Sequence, residues 1–475
     1  CTACSHAAVI EGFQHYGYSL FGYNIRQAET GSRPAAVYPG MFYSPLATLP
    51  VDGIVISWDW HAGIPLILKQ ICHIVTDDLK VWIRVDPGEV RKVESELRSY
   101  TLSINLRNVE FIEFDKNVNS LWMGDYGPIF IHTEEGDREI ISLSCPYGSP
   151  GFNAEFGNLL GLKVHQTEYV EFGGNLSFDG RASVVMAHTP VDMGIYSEGE
   201  IRGFQKALFN VDTVIFQDRL KSEMTGLVDV ISRTIDEKSV FVGRYDISSS
   251  CAAGNDFLLD GNVQKFAYSK FKPYRLSMPP VNAGATTYGY PMTPSHIGAI
   301  IVNEKILLPV FASLTDQAAV AMYSQRYQGC TIHQIDCRAL AGYMATLTSI
   351  IRTVSHDPFE LFHEPFDYEI DSRVPESLSL RTVGVNKVDT TKISLFYRVG
   401  NEGPFTESLM YIDTYAEKKG QWFKSLMQGF KPGDVINYYF RAHDCKGMYE
   451  TLPEDAPDCG VFELRYSPEK DPAYY

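Results

Sequence analysis

Short β-rich runs alternate with helical stretches from about residue 50 to about residue 365, and this alternation constrains the fold more than any other feature of the sequence. A helix is predicted with Val90, Val93 and Leu97 on one face, and another over Gln317–Tyr327 with Asp316 as its N-cap. Recurrence in units of about 50 to 60 residues indicates a repeated ββαβ architecture, although a doubly wound sheet fits this periodicity equally well. The strand candidates are Val51–Trp58, Leu79–Val85, Val109–Phe114, Ile129–His132, Ala182–Ala187, Thr213–Gln217, Val240–Val242, Gly298–Val302 and Ile306–Phe311, the last two pairing across Asn303–Lys305.

The pattern changes near residue 366, where helical signals mostly stop and short strands separated by turn residues take over. This composition predicts a β-sandwich of the immunoglobulin type, whose fold alone carries no chemistry. We therefore expect an N-terminal arm over 1–45, an α/β domain over 46–365 and an immunoglobulin-like domain over 366–475. The C-terminal strand candidates are Leu378–Val385, Lys392–Val399, Leu409–Tyr415, Gln421–Leu426, Asp434–His443 and Val461–Tyr466.

The charge balance of the chain limits its partners. Lys and Arg number 41 against 58 Asp and Glu, which gives a formal net charge of −17. Nucleic-acid surfaces are basic, so this balance argues against nucleic-acid binding. It also disfavours electrostatic docking to anionic lipid, whereas it could steer cationic partners such as arginine-containing peptides.

The first residue, Cys1, suggests a cellular location. A mature chain that begins with cysteine is what a bacterial lipoprotein leaves after signal-peptide removal, with the lipid on the sulfur; a coincidental boundary is the equal alternative. We expect an exported protein, at the cell surface or outside it, that contacts a membrane only through a lipidated Cys1. The sequence contains no run of 18 apolar residues, so it predicts no membrane-spanning segment.

The other cysteines and the histidines show no metal-binding pattern. Nine cysteines, an odd number, leave at least one sulfur outside any intramolecular disulfide. Cys330 with Cys337, and Cys445 with Cys459, are close enough in sequence to be candidate bridges. Because the histidines are scattered without ligand spacing, we predict neither a metal site nor a cofactor.

Five segments, in order, resemble the bacterial (Porphyromonas-type) peptidylarginine deiminases, relatives of agmatine deiminase. One such match would be weak, but five in the family's order are specific, and they cover roughly residues 46 to 365. The segments are Leu49–Trp58 (the opening strand), Leu121–Pro128 (W-x-R-D-x-G-P), Glu171–Gly180 (G-G-N-x-x-x-D-G), Gly226–Asp229 (G-H-[IV]-D) and Ile301–Val310 (a late hairpin).

The resemblance implies a pentein-type fold, a pseudo-fivefold α/β-propeller whose central cavity holds the active site. In that family two carboxylates grip the substrate guanidinium, a cysteine thiolate attacks its central carbon and a histidine moves protons. Asp125 and Asp229 match the two carboxylates, and they are the guanidinium-binding candidates. Leu227 stands at the histidine position, and aligning Thr346–Ser349 on the family's A-L-H-C places Ser349 at the nucleophile.

Further family features are also missing. Gly124 stands where the family has arginine, and Ser144–Tyr147 replaces its N-R-P-R segment, whose arginines hold the substrate backbone. The glycine-rich run before the nucleophile is the bulkier Leu340–Ala345, which we expect to narrow the cavity. An engineered Cys-to-Ser exchange would explain Ser349 alone, whereas several independent losses indicate a naturally decayed site.

Two cysteines are candidates for a displaced nucleophile. Cys145 lies on a loop expected at the cavity rim, and Cys337, in Asp336–Arg338, matches a structural position of the family. Asn175 begins a glycosylation acceptor sequence, but its place in an inner strand favours a structural role.

Three hypotheses follow. The first is a catalytically inactive, exported, deiminase-like protein that acts by binding a protein partner or as an assembly component. The second is an active guanidino-group hydrolase using Ser349 or a displaced cysteine. The third is an arginine-peptide binder that uses Asp125 and Asp229, although a relic carboxylate pair is the simpler interpretation.

Overall fold

A computed structural model gives the fold of the chain. It describes strand 42–43 and residues 50–467, and the predicted N-terminal arm, with Cys1, otherwise lies outside the described residues. Within 50–467 the description leaves out 115–120, 134–136, 146–149, 181, 221–222, 224, 237, 246–249, 270, 286–290, 328, 358, 364, 366–368, 370–375, 385–387, 415–420, 446–448, 454–455 and 458–459.

Strands and helices alternate up to residue 356. The strands are β1 Phe42–Tyr43, β2 Val51–Ser57, β3 Lys80–Val85, β4 Val109–Glu113, β5 Ile129–Thr133, β6 Arg138–Ser144, β7 Val164–Val170, β8 Ser177–Phe178, β9 Ser183–Ala187, β10 Thr213–Gln217, β11 Ser232–Asp236, β12 Ser239–Arg244, β13 Lys272–Ser277, β14 Asn282–Ala285, β15 Pro291–Met292, β16 Ile300–Val302, β17 Lys305–Val310, β18 Thr331–Asp336 and β19 Ile351–Ser355. The helices are α1 Ile64–Val75, α2 Val90–Arg98, α3 Met123–Tyr126, α4 Pro150–Leu160, α5 Thr189–Asp192, α6 Glu198–Phe209, α7 Ser250–Gln264, α8 Asp316–Arg326, α9 Arg338–Gly342 and α10 Leu347–Ile350.

The described strands form several small sheets instead of one doubly wound sheet, with orders that include β19-β2-β3-β4, β1-β5-β6-β7, β10-β9-β8, β11-β12-β13 and β16-β17-β18. In three of them a strand pairs antiparallel with its predecessor and then parallel with the strand that follows a helix: β8-β9-β10, β11-β12-β13 and β16-β17-β18. This is the ββαβ repeat that the periodicity predicts. The hairpin β16-β17 is the one expected across Asn303–Lys305.

Burial explains why these elements form. Ile54, Val55 and Ile56 are all fully buried, as expected for a strand covered on both faces. Helix α1 buries Ile64, Ile67, Leu68, Ile71 and Val75, which share one face at helical spacing, against this sheet's core. Short helices and a 3₁₀ turn between the strands carry the candidate site residues Asp125, Asp229 and Ser349.

The described residues fall into two compact units. The first comprises those up to Ile131 and Glu139–His356, and the second those within His132–Arg138 and from Asp357 onward. Strand Phe359–Phe362 therefore belongs to the second unit, although it precedes the boundary expected at residue 366.

The second unit is built almost entirely of antiparallel strands. They are β20 Phe359–Phe362, β21 Glu376–Gly384, β22 Val388–Val399, β23 Thr406–Leu409, β24 Tyr411–Ile412, β25 Gln421–Met427, β26 Val435–Asp444, β27 Tyr449–Leu452 and β28 Phe462–Arg465. One sheet has the order β20-β21-β25-β24 and the other β23-β22-β26-β27, with β28 also on β26. Leu380 and Phe423 from one sheet share a hydrophobic cluster with Leu395 and Phe440 from the other.

Two local predictions were wrong, and one of the two candidate disulfides is not formed. Asp316 is the first residue of α8 and Thr315 is its N-cap; the Asp316 carboxylate instead accepts hydrogen bonds from the backbone of Phe311 and Ser313. The single strand expected over Leu409–Tyr415 is two short strands in different sheets, β23 and β24. Cys330 and Cys337 carry free thiols, so they form no disulfide.

The other candidate bridge is only half described, since Cys445 carries a free thiol and Cys459 lies outside the described residues. Among the helices described, none combines the length and apolar character needed to cross a bilayer.

Candidate functional site

Three segments far apart in sequence bring the four family-matched positions together. Asp125 lies on helix α3, Leu227 and Asp229 flank the start of the 3₁₀ turn Val228–Val230, and Ser349 lies on helix α10. All four are buried, with exposed fractions of 2%, 4%, 8% and 4% in chain order.

Gly174 marks the point where three of them converge. A Cβ atom at Gly174 would lie 2.7 Å from Asp125 Oδ1, 3.1 Å from Asp229 Oδ2 and 3.2 Å from Leu227 Cδ1. The backbone N–H of Gly174 also donates a hydrogen bond of 3.2 Å to Asp125 Oδ1. The two carboxylates, called the carboxylate pair below, therefore lie side by side, with an aliphatic side chain where the resemblance places an imidazole.

The Asp229 carboxylate is held by hydroxyl groups. Thr348 Oγ1 donates to Asp229 Oδ2 at 2.7 Å and Thr346 Oγ1 donates to the same oxygen at 3.1 Å. Burial raises the pKa of Asp229, while hydrogen bonds from these hydroxyls and the positive charge of Arg233 partly offset this effect. Asp229 Oδ1 is buried without a hydrogen-bond partner in the described part of the chain.

Ser349 is engaged as a helix cap. Its Oγ accepts a hydrogen bond of 3.2 Å from the backbone N–H of Thr346, while Thr346 Oγ1 accepts one of 3.3 Å from the backbone N–H of Ser349. The two hydroxyl oxygens are 3.0 Å apart. This reciprocal capping box fixes the start of α10 and holds the hydroxyl of Ser349 in a structural role.

Asn175 fixes the turn that carries Leu227 and Asp229. Its side chain is fully buried; Oδ1 accepts from the backbone N–H of Ala187 at 2.9 Å and of Val228 at 3.2 Å. Nδ2 donates to Glu171 Oε1 at 3.3 Å and to the carbonyl of Ala187 at 3.4 Å. Asn175 therefore has a structural role, as predicted, but it lies in the 3₁₀ turn Gly173–Asn175 and not in the inner strand on which the prediction rested.

Gly124 allows α10 to approach α3 closely. A Cβ atom at this position would lie 1.7 Å from the carbonyl oxygen of Thr348 and 2.6 Å from the carbonyl carbon of Ser349. The backbone of the loop at the nucleophile position thus occupies the space that any side chain at 124 would need. An arginine here, as in the family pattern, is incompatible with this path of the chain.

Two arginines near the site were missed by sequence reasoning. Arg352, on β19, packs its guanidinium over Gly173, where a Cβ atom would be 1.6 Å from Nη2. Burial lowers the pKa of Arg352 to about 10, and the negative charges of Asp125 and Asp229 oppose that shift. Arg233, on β11, donates to the carbonyl of Ala299. The carboxylate pair therefore faces positive charge supplied by the protein itself.

The alternative nucleophiles lie in buried positions. Cys337 is fully buried, and burial raises the pKa of its thiol well above the usual value. Cys145 is 7% exposed at the end of β6, and Pro146 and Tyr147 after it lie outside the described residues. In the run Leu340–Ala345, which was expected to narrow the active-site cavity, Leu340 and Ala345 pack in the hydrophobic core.

The residues that the structure describes include no metal-binding cluster. Across the described ranges, no group of three or more His, Cys, Asp or Glu side chains is placed to hold a metal ion.

Glu171, beside this network, makes the stability of the first unit depend on pH. Burial raises its pKa from an ordinary 4.5 to about 7, against the hydrogen bonds from Phe172, Asn175 and Tyr169 that favour the charged form. A raised carboxyl pKa means that the folded state binds the proton more tightly, so this stability is complete below pH 4.5 and is lost as the pH rises towards 7.

The amide of Glu171→Gln removes the buried charge and keeps the shape. We expect the variant to match the wild type near pH 4 and to be more stable by about 1–3 kcal/mol near pH 8. Denaturant unfolding at both pH values measures the difference, with Glu168→Gln, at an exposed position three residues earlier on β7, as the control. The same stability difference between Glu171→Gln and the wild type at both pH values would contradict the raised pKa of Glu171.

Comparison with known proteins identifies the family. The sequence model of the Porphyromonas-type peptidyl-arginine deiminases matches residues 56–350. Among solved structures, C. jejuni agmatine deiminase is similar at 15% identity and a TM-score of 0.58, over 68% of this chain and 99% of that one.

Two further solved structures are similar to this chain. A putative arginine deiminase from Porphyromonas gingivalis is similar at 15% identity and a TM-score of 0.57, over 66% of this chain and 99% of that one. Agmatine deiminase of Enterococcus faecalis is similar at 14% identity and a TM-score of 0.58, over 68% of this chain and 100% of that one. At these identities the likeness concerns the fold, and no curated protein matches the sequence.

The match to the family model covers more than half of the chain, and the α/β unit has the fold of the deiminase structures. The chain therefore belongs to the Porphyromonas-type peptidyl-arginine deiminases, a family that modifies guanidino groups.

Proposed function

We propose that this chain is a non-catalytic member of its family that acts by binding a protein partner or as a component of an assembly. The observation that carries the proposal is the state of the matched site: Leu227 stands at the histidine position, and the Ser349 hydroxyl is part of a capping box. A serine becomes a nucleophile when an adjacent base removes its proton. Here the Ser349 hydroxyl exchanges hydrogen bonds with Thr346, which supplies no base. It also contacts the Asp229 carboxylate, whose Oδ2 already accepts hydrogen bonds from Thr346 and Thr348.

The hydrolase hypothesis requires a different nucleophile or an activated Ser349. Cys337 is fully buried with a raised pKa, so its thiolate is disfavoured. Cys145 is nearer to the site, since its charge would act on both Arg352 and Tyr126, but it is almost entirely buried. The burial of both cysteines and the raised pKa of Cys337 favour the non-catalytic proposal.

The arginine-peptide hypothesis faces an electrostatic obstacle. A guanidinium ligand at the carboxylate pair would have to enter beside the buried positive charge of Arg352. Repulsion between like charges is strong in such a site because the local dielectric constant is low. The pair is therefore better explained as an internally compensated relic than as a receptor for arginine.

The finer architecture and the location belong to the proposal. We take the small sheets of the first unit as blades of a pseudo-fivefold propeller, and the two-sheet second unit as an immunoglobulin-like domain that supplies a docking surface. We further propose that the protein is exported, with a lipidated Cys1 and an unmodified Cys1 as equal alternatives. Intact-mass measurement of the N-terminal peptide from the native source distinguishes them, because an attached lipid adds the mass of its acyl chains.

Turnover assays test the proposal. We expect no citrulline or ammonia from peptidyl-arginine, free arginine or agmatine above the level given by Ser349→Ala, because nucleophile and base are both replaced. An active deiminase assayed in parallel shows that the conditions are adequate. Turnover by the wild type that disappears in Ser349→Ala, or in Cys145→Ala, would overturn the proposal in favour of the hydrolase.

A further inference from the structure

The carboxylate pair and the guanidinium of Arg352 meet at two consecutive glycines. A Cβ atom at Gly173 would lie 1.6 Å from Nη2 of Arg352. A Cβ atom at Gly174 would lie 2.7 Å from Asp125 Oδ1 and 3.1 Å from Asp229 Oδ2. Because neighbouring Cα atoms are about 3.8 Å apart, one short turn has the cation packed on its first glycine and the two anions on its second.

The guanidinium of Arg352 depends on the charge of the carboxylate pair. Its Nε and Nη2 atoms are buried and have no hydrogen-bond partner in the described part of the chain. Burial lowers the pKa of Arg352 to about 10, and the negative charges of Asp125 and Asp229 are the two largest effects that oppose this shift. The two carboxylates therefore supply the counter-charge for a cation that lacks acceptors for these N–H groups.

The carboxylates in turn depend on positive charge. Both are buried, and a buried charge without a counter-charge is strongly unfavourable. Two threonine hydroxyls donate to Asp229 Oδ2, while Oδ1 has no hydrogen-bond partner among the residues that the structure describes. Arg233 is a second cation near Asp229, but it donates to the carbonyl of Ala299. Without Arg352, one cation would remain beside two carboxylates.

We propose that Arg352 is a built-in counter-ion of the carboxylate pair, which takes up the charge-binding capacity of Asp125 and Asp229 and excludes cationic ligands from them. The contact is autoinhibitory, since the blocking side chain belongs to the same chain. Arg352 lies outside the five segments that resemble the family, so the counter-ion is not part of that pattern. The inference goes beyond the proposed function, because it holds whether or not the chain is catalytic.

Loss of the Arg352 side chain would open the pair to a small cation. A cavity of about 140 Å³ is lined by both Arg352 and Asp229, and it extends to Pro50, which is exposed. The space left by the missing guanidinium would join this cavity beside the two carboxylates. A small guanidinium suits such a space, because a carboxylate accepts two parallel hydrogen bonds from its planar edge.

Chemical rescue of Arg352→Ala by methylguanidinium tests the proposal. The full chain is titrated at constant ionic strength, and binding is followed by calorimetry and by the melting temperature. We expect methylguanidinium to bind the variant at least tenfold more tightly than the wild type and to raise the melting temperature of the variant only. Methylammonium should bind the variant at least tenfold more weakly, because it lacks the planar edge. Arg98→Ala, at an exposed arginine paired with Glu94, is the matched control and should show no rescue.

A double variant separates charge compensation from the filling of a void. Adding Asp229→Asn to Arg352→Ala removes one carboxylate and keeps the vacancy, so methylguanidinium binding should fall at least tenfold. Where Arg352→Ala does not fold, Arg352→Gln leaves a smaller void and the same titration applies. Equal methylguanidinium affinity in the wild type and the Arg352 variants, rescue that Asp229→Asn does not affect, or rescue of neither Arg352 variant would each overturn the proposal.

Discussion

Replacing Gly124 with alanine is expected to destabilise the first unit by about 3 kcal/mol, which places this substitution among the most damaging single changes in the chain. The added Cβ would lie 1.7 Å from the Thr348 carbonyl oxygen and 2.6 Å from the Ser349 carbonyl carbon. Both contacts are with backbone atoms, so no side-chain rotation relieves them, and α10 must move away from α3. Denaturant unfolding of the purified variant measures the loss.

Gly203→Ala is the matched control, because a Cβ at this position in helix α6 meets nothing within 4 Å. Alanine is the better helix former, so this variant should gain up to about 1 kcal/mol. Equal stability of Gly124→Ala and the wild type would show that α10 does not pack on α3 as described. It would also mean that position 124 has room for the arginine of the family pattern.

Removing the side chain of Asn175 is expected to cost about 3 kcal/mol or more. Asn175→Ala would leave the buried N–H groups of Ala187 and Val228 and the carbonyl of Ala187 without their hydrogen bonds from this side chain. Each unsatisfied buried group costs about 1–3 kcal/mol. Because Val228 lies between Leu227 and Asp229, the variant should also loosen the turn that holds the carboxylate pair.

The comparison for this prediction is Asn158→Ala, at an exposed position on helix α4, which should change stability by less than about 0.5 kcal/mol. Thermal and denaturant unfolding of both variants give the two values. A loss as small in Asn175→Ala as in Asn158→Ala would contradict the hydrogen-bond network around the turn.

Much of the site could be predicted from sequence because its parts lie in short, spaced motifs. Asp125, Leu227, Asp229 and Ser349 were located by matching those motifs, and the structure brings all four together. The ββαβ repeat was predictable for a similar reason, since apolar periodicity changes between strand and helix at each crossover.

Other features required the three-dimensional structure. Arg352 stands in a five-residue strand, and nothing local separates an arginine that enters a cavity from one that faces solvent. Its environment follows from the pairing of β19 with β2, where Arg352 lies opposite Val55. The roles of Thr346 and Thr348 depend on a contact with Asp229 more than 100 residues away in sequence, which no local pattern encodes.

A single-turnover experiment tests the central claim most directly. The protein is mixed in excess over an arginine-containing peptide, and citrulline in the peptide is quantified by mass spectrometry over many hours. Because Ser349 is a cap and Leu227 cannot carry a proton, the wild type should form no more citrulline than Ser349→Ala. Conversion of the peptide by the wild type, abolished in Ser349→Ala, would contradict the claim that this site has lost its chemistry.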